Sequence, residues 1–138
     1  MKNFRLALYF VVFMSFAVTS SAALYEAPPE IIPTLPKYCW GQYIADIPHD
    51  DPQFYISGCG EYANHYCPGL VNMKEADKEN NLGRKMFLLS QAQGNMEYTL
   101  NNTKDIPECF LRPNAQAYLQ RIKFQIDMLK LQMRTRSR

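Results

Sequence analysis

A chain of 138 residues with 15 basic and 13 acidic side chains carries a formal charge of only +2. That length suits one domain, and the near-neutral balance excludes a general nucleic-acid binder, which needs a large basic excess. Aromatic content is high, with one Trp, nine Tyr and eight Phe.

The first element in chain order is an export signal. Lys2 and Arg5 form a basic start, Leu6 to Val18 is apolar, and Thr19-Ser20-Ser21-Ala22-Ala23 offers small residues to a signal peptidase. Residues 1–23 read as a cleavable signal peptide, cut after Ala22 or Ala23. The apolar run is shorter than the roughly 20 residues that span a bilayer, so no membrane span is expected after cleavage. Export places the remaining chain in the periplasm or outside the cell. Losing Lys2 and Arg5 leaves 13 basic residues against 13 acids.

Residues 24–37 hold Pro28, Pro29, Pro33 and Pro36. Proline removes amide donors and favours extended backbone, which predicts a polyproline-like arm or linker. Residues 38–138 are then one helical domain. A short helix is expected at Tyr38–Ile44, and a helical stretch from Cys59 that Pro68 either interrupts or restarts, running to about Glu79. Asn80 to Gly83 reads as a turn. A helix from Gly83 to Asn101 follows, with Met86, Leu89, Gln93, Met96 and Leu100 on one face, supported by Phe87 and Ala92. Gly94 inside it costs about 1 kcal/mol relative to Ala and reads as a point of close helix packing.

Asn101 to Cys109 is a connector, and the last helix is predicted from Pro113 to Met133. Ala115, Leu119, Ile122, Ile126, Leu129 and Met133 repeat at spacings of four and three, the pattern of a helix face packed on a core. A second apolar stripe, Ala117, Phe124, Met128 and Leu131, lies well round the helix. Two stripes require burial on both sides or a surface that receives a partner. Phe124, Met128 and Leu131 are therefore candidate contact residues, together with Trp40 in the aromatic N-terminal half. No period-two run or hairpin turn signals a strand.

Charge is segregated along the domain. From Leu24 to Leu111 six basic residues stand against twelve acids, and from Arg112 onward seven basic residues stand against Asp127 alone. Internal pairing is the plainer explanation, a charged interaction face the sharper one.

Cys39, Cys59, Cys67 and Cys109 all follow the signal, and an even count in an exported chain reads as two disulfides. Three pairings are open. The densest group of reactive letters runs from Cys59 to Cys67, where Glu61 and His65 share a helix face. His65 and Cys67, with Cys59 and His49, are the candidate metal ligands, since zinc accepts thiolate and imidazole. The cysteine spacing is wider than zinc sites use, and an oxidising compartment turns thiols into bridges. No Cys-x-x-Cys redox motif is present, and two histidines without an orienting partner do not make a hydrolase. No catalysis and no cofactor are expected. Asn101-Asn102-Thr103 is a glycosylation sequon.

Pro36-Lys37-Tyr38-Cys39-Trp40, Asn64-His65-Tyr66-Cys67-Pro68-Gly69-Leu70, Arg84 and Asn95-Met96-Glu97-Tyr98-Thr99-Leu100 form an ordered series. The series resembles the N-terminal region of exported proteobacterial proteins of tetratricopeptide-repeat-like type, which have a Tyr-Cys, a His-Tyr-Cys-x-Gly-Leu helix and a helix ending Tyr-x-Leu. The resemblance covers roughly residues 36–133. It implies an all-α helical-hairpin scaffold without enzymatic activity. It also implies a Cys39–Cys67 bridge, leaving Cys59 with Cys109. Pro68 departs from it by standing where those proteins carry a large residue, and Cys59 and Cys109 are additional.

The expectation is a periplasmic or secreted, disulfide-stapled all-α module that binds another protein chain, or a second copy of itself, through its last helix. The alternative is a metal- or redox-responsive envelope protein using His65 and the cysteines. Intact mass of the exported protein is expected to begin at Ala23 or Leu24. It should be lighter than the reduced form by the hydrogens that two disulfides remove; a full-length mass, or no change on reduction, overturns the reading.

Overall fold

The computed structural model describes residues 26–48 and 50–136. The expected signal peptide and cleavage site, and His49, lie outside the described residues. Every regular element among the described residues is helical: short 3-10 turns at Ile32–Thr34, Lys37–Gln42 and Glu61–His65 precede three α-helices, α1 (Tyr66–Lys78), α2 (Leu82–Asn102) and α3 (Leu111–Arg136). α2 is the central element and packs along both α1 and α3, while α1 and α3 barely meet.

Residues 26–37 do not form an extended linker. Ile31 and Leu35 are 1% and 4% exposed and belong to the core. Pro33 sits in the first positions of a 3-10 turn, where its missing amide costs nothing. Thr34 Oγ1 donates to the Ile31 carbonyl at 2.7 Å. The prolines stiffen this segment, and its two aliphatic side chains fasten it down.

Pro68 does not break the helix. It is the third residue of α1, inside the first turn, where an amide would have no intrahelical acceptor. The change there is from 3-10 geometry over Glu61–His65 to α geometry from Tyr66. Pro113 plays the same part as third residue of α3, so that helix starts two residues earlier than expected.

Asn81 is the N-cap of α2, its Oδ1 accepting the Arg84 amide at 2.9 Å, and Glu79 Oε1 accepts the Asn81 amide at 2.7 Å. The buried face of α2 is Leu88, Leu89, Ala92, Met96 and Thr99. Met86, Gln93 and Leu100 are only partly covered, and Phe87 is 52% exposed beneath the Arg84 guanidinium. A helix packed on two neighbours buries a wider, rotated face than a one-sided period describes.

The close approach of helices occurs at Gly69, not Gly94. A Cβ on Gly69 would lie 2.8 Å from Met96 Cε and 3.2 Å from Asn95 Cβ, whereas one on Gly94 would meet nothing within 4 Å. Gly41 is tighter still: a Cβ there would lie 2.4 Å from the Tyr55 ring and 2.6 Å from the Phe54 carbonyl.

Two disulfides, Cys39–Cys67 and Cys59–Cys109, join the half without long helices to the half that has them. The pairing is the one implied by the resemblance. Cys39 lies in the Lys37–Gln42 turn and Cys67 in α1, while Cys109 ends the connector between α2 and α3. All four sulfurs are buried and none is free.

These contacts predict opposite signs for two glycine substitutions. Gly41→Ala should destabilise the protein by about 1–3 kcal/mol through overpacking. Gly94→Ala should stabilise it by up to about 1 kcal/mol through helix propensity. Denaturant midpoints of the oxidised variants check both.

Candidate functional site

α3 carries the candidate surface, and its sequence explains how. Leu111, Ala115, Leu119, Ile122, Ile126 and Leu129 are buried against the core. The second stripe stays outside, with Phe124 66%, Met128 51% and Leu131 56% exposed. Met133 continues the inner stripe in sequence but is 37% exposed. The reason is length: α3 has 26 residues and α2 has 21, so the end of α3 outruns its support.

The outer stripe is not a plain ridge. Phe124, Met128, Leu131 and Gln132, with Lys85 reaching across from α2, line a shallow concavity of about 530 Å³. Lys85 went unnoticed in the sequence because nothing local ties it to the far end of α3. Among the described residues it is the one cation in the lining, since Arg121, three residues before Phe124, is turned toward Asp77 on α1. Asp127 holds Lys130 at 3.7 Å.

Two of the basic residues of α3 pair with acids earlier in the chain. Arg121 Nη2 lies 3.0 Å from Asp77 Oδ2 on α1, and Gln125 Nε2 donates to Asp77 Oδ1 at 3.2 Å. Lys123 reaches Glu97 of α2 at 3.4 Å. Exposed pairs of this kind contribute at most about 1 kcal/mol each; they set the register of α3 more than its stability. Arg112 does different work. Its Nη1 donates to the Leu100 carbonyl and to Thr103 Oγ1, both at 3.0 Å, placing a cation on the unpaired carbonyl end of α2.

Trp40, expected at a contact surface, is turned inward. Its indole Nε1 donates to the Leu35 carbonyl at 3.1 Å, and its ring stacks on Phe54 with centroids 6.0 Å apart. It props the proline segment against the core.

The metal pair is not assembled. Cys67 is bonded to Cys39, and His65 Nδ1 donates to Asn95 Oδ1 at 2.9 Å, whose Nδ2 in turn donates to Asn72 Oδ1 at 3.1 Å. The imidazole also lies over Tyr98 with centroids 4.0 Å apart. This chain of hydrogen bonds ties the Glu61–His65 turn to α2 and α1. No cluster of His, Cys, Asp or Glu suited to a metal occurs among the described residues. At the sequon, Asn101 is exposed but Thr103 is fully buried, its hydroxyl donating to the Thr99 carbonyl at 2.8 Å.

Beneath α3 lies a tyrosine cluster. Tyr66 is 1% exposed, with the rings of Tyr38 and Tyr118 at 6.4 and 6.3 Å and Phe110 edge-on to Tyr38 at 5.3 Å. Burial first, and then the neighbouring Tyr38, raise the Tyr66 phenol far above its ordinary value of 10.0. The folded state therefore keeps a proton that the unfolded chain releases as pH rises above that value. Stability is intact below about pH 10 and should fall above it by about 1.4 kcal/mol per pH unit. Urea midpoints between pH 9 and 11.5 should show this slope in the wild type and a shallower one in Tyr66→Phe; equal slopes would remove Tyr66 as its origin.

Comparison of the chain with family models returns no match. Comparisons with curated proteins and with solved structures return none either.

Proposed function

We propose that this is an exported helical interaction module whose outer α3 face receives an apolar helix of another protein chain flanked by acidic residues. The observation that carries the reading is the row Phe124, Met128 and Leu131, each more than half exposed on a helix whose opposite face is buried. Large apolar side chains aligned along one exposed face mark a contact surface. Charge selects the occupant. Lys85 lines the concavity and Arg121 is already paired with Asp77, so the charge offered to an occupant is that of Lys85, which an acid-flanked helix complements and a second copy would oppose with its own Lys85.

Support for export comes from the two disulfides, which persist in oxidising compartments, and from the signal-like start of the chain. No helix among the described residues is long and apolar enough to cross a membrane. The resemblance to exported tetratricopeptide-repeat-like proteins adds a scaffold role, with a helical hairpin offering a face to a partner.

A synthetic amphipathic helix with a Leu/Phe row flanked by Glu tests the proposal. It should bind the wild type, and the double variant Phe124→Asp, Met128→Asp should bind at least about tenfold more weakly, a loss of about 1.4 kcal/mol. The same peptide with Lys flanks should bind poorly. Equal binding by the variant overturns the surface, and concentration-dependent dimers of the wild type in sedimentation would replace the partner by a second copy.

A further inference from the structure

α1 and α3 both pack on α2 and diverge from one another, so a gap opens between them that the proline segment covers only on one side. The gap is a cleft of about 330 Å³, at the lower end of the roughly 300–1,000 Å³ that ligand sites occupy. Its wall is mixed: Leu35, Leu70 and Met73, each 4% exposed, with Pro36 and the partly buried Tyr118, give the apolar part, and Thr34 adds a hydroxyl. Three charged groups stand at its rim, Lys74 and Asp77 from α1 and Arg121 from α3.

The rim charges are not equivalent. Both Asp77 oxygens are engaged, by Arg121 at 3.0 Å and by Gln125 at 3.2 Å. Lys74, one turn before Asp77, has no carboxylate partner among the described residues. A recess with a partly apolar wall and one uncommitted cation at its mouth is complementary to an apolar body with one anionic head. We infer that this cleft binds a small apolar carboxylate, an aromatic acid or short acyl chain, with its head on Lys74 and its body against Leu35, Leu70 and Met73. The site is separate from the outer stripe of α3 and does not depend on it.

Trp40 gives the assay. It is the single tryptophan, and its indole is bonded to the carbonyl of Leu35 in the cleft wall. With the oxidised protein, 8-anilinonaphthalene-1-sulfonate, itself an apolar anion, should give saturable energy transfer from Trp40. Octanoate should displace it, with octanol and octyltrimethylammonium weaker by at least about tenfold, the loss of one charge-assisted contact. Lys74→Gln should weaken octanoate to the same degree, Lys74→Arg should retain it, and the Phe124→Asp, Met128→Asp variant should bind as the wild type does. Absence of saturable transfer overturns the inference. So does equal competition by the cation or the alcohol, or a loss that follows the Phe124 variant and spares Lys74→Gln.

Discussion

The two disulfides interlock in sequence: Cys59 lies inside the loop closed by Cys39 and Cys67, and its own partner Cys109 lies outside. The described residues between 26 and 60 contain only 3-10 turns and irregular backbone, too little periodic structure to hold a fold through their own hydrogen bonds. Bridges spanning 28 and 50 residues remove about 3.5 and 4 kcal/mol of chain entropy from the unfolded state when each is taken alone in the loop-closure model. With the sulfurs fully buried, the cross-links also form part of the core. Gly58 and Gly60, with φ of 71° and 75°, flank Cys59. They let the backbone turn sharply enough there to present one sulfur inward, a conformation that costs side-chain-bearing residues energy.

Given those ties, the rest is a question of which helix faces which. α2 serves as the shared wall, and Gly69 lets α1 approach it closely enough for Met96 to be fully buried. The polar link from His65 through Asn95 to Asn72 crosses the same junction, fixing the orientation of the Glu61–His65 turn where apolar packing alone would leave sliding freedom. Because α2 satisfies both neighbours, nothing forces α1 and α3 together, and both the cleft and the outer face of α3 follow from that arrangement. On this view a partner helix and a small apolar acid would occupy different sides of α3, linked through Gln125, which lines the outer concavity and donates to Asp77 at the cleft rim.

What the sequence revealed and what it hid divide along a physical line. α2 and α3 were legible because a 3.6-residue period and a proline near a helix start are local signals. The exposed stripe was legible for a related reason: Phe124, Met128 and Leu131 stand where a one-sided helix would be polar. Features decided by a distant neighbour were not. Met86, Phe87, Leu88 and Leu89 are four apolar residues in succession, and only the placement of α1 and α3 determines that Leu88 and Leu89 turn inward while Phe87 faces water. Gly69 and Gly94 are the same residue in the same kind of helix, and only the packing partner separates them. In the proline segment, the prolines report on amide donors and say nothing of Ile31 and Leu35, whose burial makes it part of the core. The disulfide pairing came through the positions of motif residues, since three connectivities were equally compatible with the cysteine count.

Cys109 is bonded two residues before α3 begins, and Arg112 holds the same end against the close of α2. The helix is thus a cantilever, clamped covalently at its root, with its last buried residue, Leu129, seven positions before its end. A load applied near Leu131 bends the free tip against apolar packing but is resisted at the root by a sulfur–sulfur bond. Deflection grows toward the end that carries the exposed stripe, so the beam is most compliant where it is widest open to contact. Its anchorage stays registered to the remainder of the molecule whatever the tip encounters.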